Sequence, residues 1–312
     1  MKVSIVVPTW NGEHFLGPCL AAVCAQSYHE IEVIVVDNGS TDGSRALLAS
    51  QFPSARVVTF AENRGFSVAV NAGIQASAGD VVALLNNDAR PEPGWIAALV
   101  ETLDHHPEIG FCASRMLRMD DPRRLDNAGI TYRVDGLAGT RGAQELDGPA
   151  WREPCEIFGA CAGAAAYRRT LFDQIGLFDE RYFAYHEDTD LSFRAQLRGF
   201  RCLYVPAAVV HHHRGGSGVR AVHDVLVARN RALTWIKNMP APLIAQHPLA
   251  FPRGLLASAW SAVRLGRGRA YVAGLAGALR MLRPILAERA RVQRGRTVSI
   301  NYLAALFTAG SR

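Results

Sequence analysis

Along the first third of the chain, short apolar runs alternate with stretches whose apolar residues recur every three to four positions. Each run is stopped by Asn, Asp, Ser, Gly or Pro. Val3-Ser4-Ile5-Val6-Val7 gives way to Pro8-Thr9-Trp10-Asn11-Gly12, and Phe15, Leu16, Cys19, Leu20 and Val23 follow at helical spacing; the pattern predicts strand, loop and helix. Ile31 to Val36 repeats it and ends in Asp37-Asn38-Gly39-Ser40-Thr41-Asp42-Gly43-Ser44, where Ser and Asp suit the cap of a helix starting near Ser44. A third strand, Ala55 to Phe60, leads through Asn63-Arg64-Gly65-Phe66 into a helix over Ser67 to Ser77. The fourth run, after Asp80, is apolar on both alternating faces, as a strand buried on both sides must be, and stops at Asn86-Asn87-Asp88-Ala89-Arg90-Pro91. Strands alternating with helices predict a mostly parallel sheet with right-handed crossovers, its loops opening on one edge.

Ligands of such sheets sit beyond the carboxyl ends of the strands. Asn86, Asn87 and Asp88 are then placed to line a cleft, with Asp88 a hard oxygen ligand for a divalent cation; the same stretch also reads as a plain turn. Asp37 is placed to accept from a ribose hydroxyl or a base N–H, and Arg64 to meet a phosphate. Their alternatives are an Asn-Gly turn for Asp37 and a surface charge for Arg64. Neither Gly-x-Gly-x-x-Gly after the first strand nor Gly-x-x-x-x-Gly-Lys-Ser/Thr anywhere is present, which disfavours dehydrogenases and P-loop enzymes.

From Phe111 to Arg152 the periodicity weakens and Gly and Pro multiply, so a loop-rich crossover is expected. The small residues of Cys155 to Arg169 suggest a backbone approached closely by another group, and a helix over Thr170 to Ile175 should end at Gly176. Phe183-Ala184-Tyr185-His186-Glu187-Asp188-Thr189-Asp190-Leu191 sets three carboxylates beside apolar partners where a helix begins. A half-buried carboxylate among them, Glu187 or Asp188, can act as general base; the other reading is an acidic first turn. A strand over Cys202 to Val210 then delivers His211-His212-His213, of which one suffices to complete a metal site, and strand alternation leaves at least one outside it.

Composition adds location. The 312 residues carry a net charge of +6, but Phe251 to Arg296 holds ten arginines against one acid, Glu288. Val272, Leu275, Leu279 and Leu282 recur there at helical spacing, with Leu255, Leu256 and Trp260 as a second apolar group and Pro284 expected to break the helix. An apolar stripe flanked by arginines predicts interfacial helices on an anionic membrane surface rather than a nucleic-acid site, since few aromatics interleave; the other reading is a stripe packed on the preceding domain with its arginines solvated. No apolar stretch reaches the roughly 20 residues of a spanning helix. The six scattered cysteines read as free thiols of a reducing compartment. Met1-Lys2 runs straight into the first strand, too short for a signal segment, so a cytoplasmic protein, peripheral on the inner face of the cell membrane, is expected.

Taken in order, Val6-Val7-Pro8-Thr9-Trp10-Asn11, Val35 to Ser44, Asn63-Arg64-Gly65-Phe66, Leu85-Asn86-Asn87-Asp88, Glu187 to Leu191 and His212-x-x-Gly215-x-Ser217 resemble the family 2 glycosyltransferases, particularly bacterial rhamnosyl- and galactofuranosyltransferases that build polysaccharides. The resemblance runs from Val3 to about Pro240. It implies a GT-A fold, α/β with a Rossmann-like sheet, over residues 1–240, followed by a basic helical extension over 241–312. It also implies a dTDP- or UDP-sugar donor, a glycan or lipid-linked acceptor, a divalent cation (Mn²⁺ or Mg²⁺) and inversion at the anomeric carbon. Carried over by motif, Pro8, Thr9, Asn11, Asp37, Ser40, Arg64 and Asn87 border the nucleotide. Asp188 is the catalytic base with Glu187 beside it, and Asp88 and His212 hold the metal, with His211 the fallback. Asn86 stands where the first acid of the Asp-x-Asp motif is often found. The competing expectations are a sugar-phosphate nucleotidyltransferase, which lacks its Gly-rich phosphate loop here, and a non-catalytic carbohydrate-binding module, which has no need of Asp88 and Asp188.

Overall fold

The computed structural model describes residues 1–213 and 222–309. The four predicted strands form as β1 (Val3–Thr9), β2 (Ile31–Asp37), β3 (Arg56–Thr59) and β4 (Val81–Leu85), separated by α1 (Glu13–Cys24), α2 (Ser44–Gln51) and α3 (Phe66–Ala76). They pair in parallel in the order β3-β2-β1-β4, with Val3 opposite both Ile31 and Val81. Period-two alternation sends Val6, Ile34 and Leu84 to a core under α3, while Ile5, Val7, Val35 and Leu85 meet Leu16, Leu20, Trp95 and Leu99 on the other face. Residues Ala89–Pro91, which also read as a turn, form a short edge strand, β5, before α4 (Trp95–His105).

The stretch read as a loop-rich crossover instead supplies β6 (Ile109–Arg118), a central strand of the sheet, then β7 (Leu125–Asn127) and the small hairpin β8 (Ile130–Tyr132) and β9 (Ala138–Thr140). Ser114, Arg115 and Arg118 interrupt its apolar pattern. Inside the fold Ser114 Oγ accepts from Trp95 Nε1 at 2.8 Å, and the Arg115 guanidinium lies 3.6 Å from the Asp147 carboxylate, so the polar residues of the strand meet polar or charged groups brought in from other segments. After β10 (Cys155–Ile157), β11 (Ala164–Arg168) runs antiparallel between β4 and β6, which explains its alanines: both of its neighbours and both sheet faces crowd it. Helices α5 (Arg169–Ile175) and α6 (Glu187–Arg198) follow; α5 ends at the expected Gly176 and α6 at Gly199, both at positive φ. Strand β12 (Arg201–His212) is longer than predicted, carries His211 and His212 within it, and pairs parallel with β6 and antiparallel with β5.

The remaining helices are α7 (His223–Asn238), α8 (Ala241–Gln246), α9 (Ala250–Arg264), α10 (Gly268–Arg280), α11 (Leu282–Arg294) and α12 (Ile300–Ala309). Helix α7 packs on α6, and α10 and α11 pack on α7. Leu303, Leu306 and Phe307 of α12 join Tyr132, Phe158 and Phe193 in one core, each such side chain contributing roughly 1.5–3 kcal/mol. Phe251 stacks on Trp235 at 4.0 Å and shares a second core with Ala278 and Ile285. Leu255 and Leu275, expected in an outward stripe, pack against that core. The helix does break, with a bend of 64° between α10 and α11, but the break precedes Pro284, which sits in the first turn of α11 where its missing N–H costs nothing. Among the described residues no single helix is long and apolar enough to cross a membrane.

A buried ion cluster ties α7 to α6. Lys237 Nζ lies 2.8 Å from Asp190 and 2.7 Å from Asp179, Arg194 Nε lies 2.9 Å from Asp190, and Asn238 Nδ2 donates to Asp190 at 2.7 Å. Burial alone would raise both aspartates. For Asp179 the Arg181 and Lys237 contacts outweigh it, and for Asp190 the charges of Lys237 and Arg194 do, so both stay below the ordinary carboxylate range. Lys237→Ala leaves two buried carboxylates short of a partner and is expected to cost about 3–5 kcal/mol in urea unfolding. Since depressed folded-state pKa values contribute stability above the unfolded value, the parent should lose stability as pH falls below about 4, and the variant should show a shallower acid limb. Equal stability of the two proteins at neutral pH would remove this cluster from the account.

Candidate active site

The loops after β1, β2, β3 and β4 are stitched together by side chains. Thr9 Oγ1 accepts from Asn87 Nδ2 at 2.8 Å, and Asn11, at φ 48°, donates its backbone N–H to Ser40 Oγ at 3.0 Å. The fully buried Asp37 carboxylate accepts from the Ser40 N–H at 3.0 Å and pairs with the Arg45 guanidinium. Asn38 donates to Asn63 Oδ1 at 3.0 Å and accepts from the Arg64 N–H at 2.9 Å, while the Arg64 guanidinium lies over the Phe60 ring. Of the residues assigned to a nucleotide, Pro8, Thr9 and Asn87 line a cavity of about 580 Å³, whereas Asn11, Asp37, Ser40 and Arg64 brace the loops that shape it.

Glu187 and Asp188 reach the same cavity from its other wall, at the start of α6. The turn that delivers them is strained: Phe183, Tyr185 and His186 all have φ between 65° and 69°, a region that costs non-glycine residues about 1–3 kcal/mol each. Asn230 of α7, itself fully buried, holds the turn by donating Nδ2 to the carbonyls of Tyr182, Ala184 and Tyr185 at 3.0, 2.9 and 2.7 Å. From the other side the Phe66 N–H donates to the Phe183 carbonyl at 2.6 Å, and Gly65 has room for no side chain, because a Cβ there would lie 2.6 Å from the Phe183 ring.

The two acids differ in their surroundings. Asp188 accepts from the Thr189 N–H at 2.6 Å and the Ala162 N–H at 3.4 Å, whereas Glu187 Oε2 has no hydrogen-bond partner among the described residues. Burial raises both carboxyls; the charge of Asp188 lifts Glu187 further, while the backbone donors hold Asp188 back. Two adjacent buried acids do not ionise together, so Glu187 keeps the proton and Asp188 is the anion with a basicity above that of an ordinary aspartate. That is the character of a general base. His186, pushed down to about 4 by burial and then by the charge of Arg231, is a neutral imidazole on the cavity wall.

Asp88 and His212 form the third group. His212 is the last residue of β12 and pairs with Ala89 of β5, which puts its Nε2 3.2 Å from Asp88 Oδ1 and 3.5 Å from Asn86 Nδ2, the latter on the cavity wall. Its Nδ1 lies 2.8 Å from Asp126 Oδ2 of β7. Burial would lower the imidazole, but the hydrogen bonds to Asp126 and Asp88 raise it to about 9. His211, the fallback ligand, points to the opposite face and contacts Glu92 at 3.0 Å. The Gly215 and Ser217 of the motif lie outside the described residues. Two ligands bonded to one cation at ~2.1 Å and at a right angle lie about 3 Å apart, so Asp88 and His212 fit a shared divalent ion, and Asp126 stands where a carboxylate orients a ligating imidazole. Among the described residues no cluster of three or more His, Cys, Asp or Glu could hold a metal. Asp126 was not singled out from the sequence; it lies in the stretch read as quiet, and only strand pairing brings it to a histidine 86 positions away.

Comparison with known proteins identifies the family and the fold. The model of the family described as glycosyl transferase family 2 matches residues 4–176. N-acetylglucosaminyl-diphospho-decaprenol L-rhamnosyltransferase of Mycobacterium tuberculosis is 29% identical over 257 residues, covering 73% of this chain and 81% of that protein. The O-antigen biosynthesis protein RfbC of Myxococcus xanthus is 29% identical over 69% of this chain but only 18% of its own length. In fold, the chain resembles GalNAc-T7 with UDP, GalNAc and Mn²⁺ (TM-score 0.62, 17% identity, 80% of this chain and 51% of that one). It also resembles the mannosyltransferase PcManGT of Pyrobaculum calidifontis with GDP-Man and Mn²⁺ (TM-score 0.56, 21% identity, 94% and 85%). Both share the GT-A architecture.

Asp126→Asn keeps the side chain's size and removes its charge. Because the lost carboxylate favours imidazolium, the His212 pKa is expected to fall from about 9 in a histidine-resolved NMR titration. An unmoved midpoint would show that Asp126 does not hold the proton.

Proposed function

The chain belongs to glycosyl transferase family 2, and on that premise we propose that it is an inverting, cation-assisted hexosyl- or rhamnosyltransferase. It moves a sugar from a dTDP- or UDP-linked donor to a hydroxyl of a glycan acceptor carried on a lipid diphosphate, at the inner face of the cell membrane. The observation that carries the reading is the placement of Asp188: an anion of raised basicity at the N-terminus of α6, facing across one cavity the β1 and β4 loops that bear the nucleotide motifs. The rhamnosyltransferase relative, whose name specifies a diphospho-decaprenol acceptor, supports the substrate class.

The mechanism follows from charge. The nucleotide binds against Pro8, Thr9 and Asn87, with Asp37, Ser40, Asn11 and Arg64 keeping the loops in register. Asp188 accepts the proton of the acceptor hydroxyl while that oxygen bonds to the anomeric carbon and the bond to the diphosphate oxygen breaks, which inverts the centre. Protonated Glu187 adds no second negative charge to the wall and can donate to a sugar oxygen. Asp88 and His212 are the residues that would hold Mn²⁺ or Mg²⁺, whose positive charge stabilises the departing diphosphate. His212 must give up a proton to ligate, so cation affinity should rise with pH.

Asp188→Asn is expected to leave nucleoside diphosphate affinity within a factor of a few and to reduce turnover by ~10²–10⁴. Near-parental turnover would remove Asp188 from the base role. Asp88→Ala should abolish the Mn²⁺-dependent part of UDP or dTDP binding measured by calorimetry. If the metal dependence of binding survives that change, the cation sits elsewhere.

A further inference from the structure

The exposed large apolar side chains of the described residues are concentrated on one helical hairpin. Leu256, Trp260 and Val263 of α9, Leu265 after it, and Val272 and Leu279 of α10 are 62–70% exposed. Arg253, Arg264, Arg269, Arg280 and Arg283 stand exposed around them, and the Arg264 guanidinium lies over the Trp260 ring. The opposite side of α10 is seated on α7. Tyr271, Gly274 and Ala278 are buried there, and a Cβ on Gly274 would lie 2.5 Å from the Val225 carbonyl. The hairpin is therefore rigidly mounted with its apolar side outward. A water-soluble protein rarely presents so many large apolar side chains together without a partner.

We infer that the outer face of α9 and α10 is a docking surface for an anionic lipid bilayer, and that it presents the acceptor end of the cavity to the lipid. Charge selects the occupant. A second copy of this chain would bring the same arginines against each other, with Glu288 the only acid between Phe251 and Arg296, whereas anionic headgroups neutralise them. The bent pair α10 and α11 does not span the bilayer, because Tyr271, Gly274, Ala278 and Ile285 are committed to the protein core. Orientation comes from α7. His223 and Val227 of its first turns line the cavity, while Val225 and Ala228 seat α10 and Asp224 lies 3.4 Å from Arg267. Docking thus sets α7, one wall of the cavity, a single helix layer from the headgroups; that a lipid-carried acceptor arrives there rests on the glycosyl-transfer reading, and the docking itself does not.

Flotation of the full chain with phosphatidylglycerol-containing vesicles, against pure phosphatidylcholine vesicles, tests the surface. The parent is expected to float with the anionic vesicles at low salt and to stay behind with the neutral ones. Leu256→Ser/Trp260→Ser/Leu279→Ser, all exposed positions, should lower partition by about tenfold or more. Arg264→Ser/Arg269→Ser/Arg280→Ser should lower it by about a hundredfold, at roughly fivefold for each charge. A parent that stays soluble with anionic vesicles, or variants that float as the parent does, overturns the inference. So does a parent that sediments as a dimer, ignores vesicles and becomes monomeric in the apolar variant, since the face would then be a contact between copies. Calorimetric UDP or dTDP binding in solution is read separately: its failure alongside intact flotation counts against the proposed function alone.

Discussion

The acidic wall of the site depends on the backbone from Tyr182 to His186 being held in a conformation it would not choose. Three non-glycine residues at positive φ cost several kcal/mol together, and the chain stays there because Asn230 satisfies three carbonyls that point the same way. Arg229 adds donors to the carbonyls of Arg181 and Tyr182 at 3.0 and 2.8 Å, and Lys237, two turns after Asn230 on the same side of α7, neutralises Asp190 inside α6. Asp188 and Glu187 begin α6 immediately after the strained turn. Their direction is therefore set by α7, a helix that follows the residues matched by the family model.

The sheet divides the labour. Its parallel half, β3-β2-β1-β4, delivers backbone loops rich in amides and hydroxyls, which suit a nucleotide because each loop ends with donors and acceptors fixed by its neighbours. Its mixed half, in which β6, β11 and β12 meet, delivers ionisable groups. Asp88 stands just before β5, Asp126 lies in β7 and His212 ends β12, and strand pairing brings the three within reach of one another. Negative charge is thus managed differently on the two sides of the cavity: Asp88 and Asp126 share the proton on His212, while Glu187 takes up its own.

What could be read from the sequence follows the range of the forces involved. Strands β1 to β4, their loops and the helix starting at Glu187 are local patterns, since a short apolar run or a carboxylate at a helix start means the same thing in most contexts. Strand β6 was missed because its Ser114 and Arg115 look like loop residues until Trp95 and Asp147 are folded against them. Asp126, Asn230 and Lys237 carry no local signature at all. The apolar stripe of the last helices was visible, but a single periodicity could not tell Leu255 and Leu275, which pack inward, from Leu256 and Leu279, which do not.

Helix α7 gives these pieces a common mechanical frame. Along one side Asn230 and Arg229 hold the turn before the catalytic-base candidate; along another Val225 and Ala228 receive the glycine face of α10, so close that a single Cβ on Gly274 would force the helices apart. Close-packed interiors transmit displacement rather than absorbing it. A force on the α9 and α10 hairpin therefore acts on the same helix that fixes the Tyr182–His186 turn, two residues from Asp188. The polar strap explains why the strained turn persists, and the glycine contact joins the surface beyond it to the same helix.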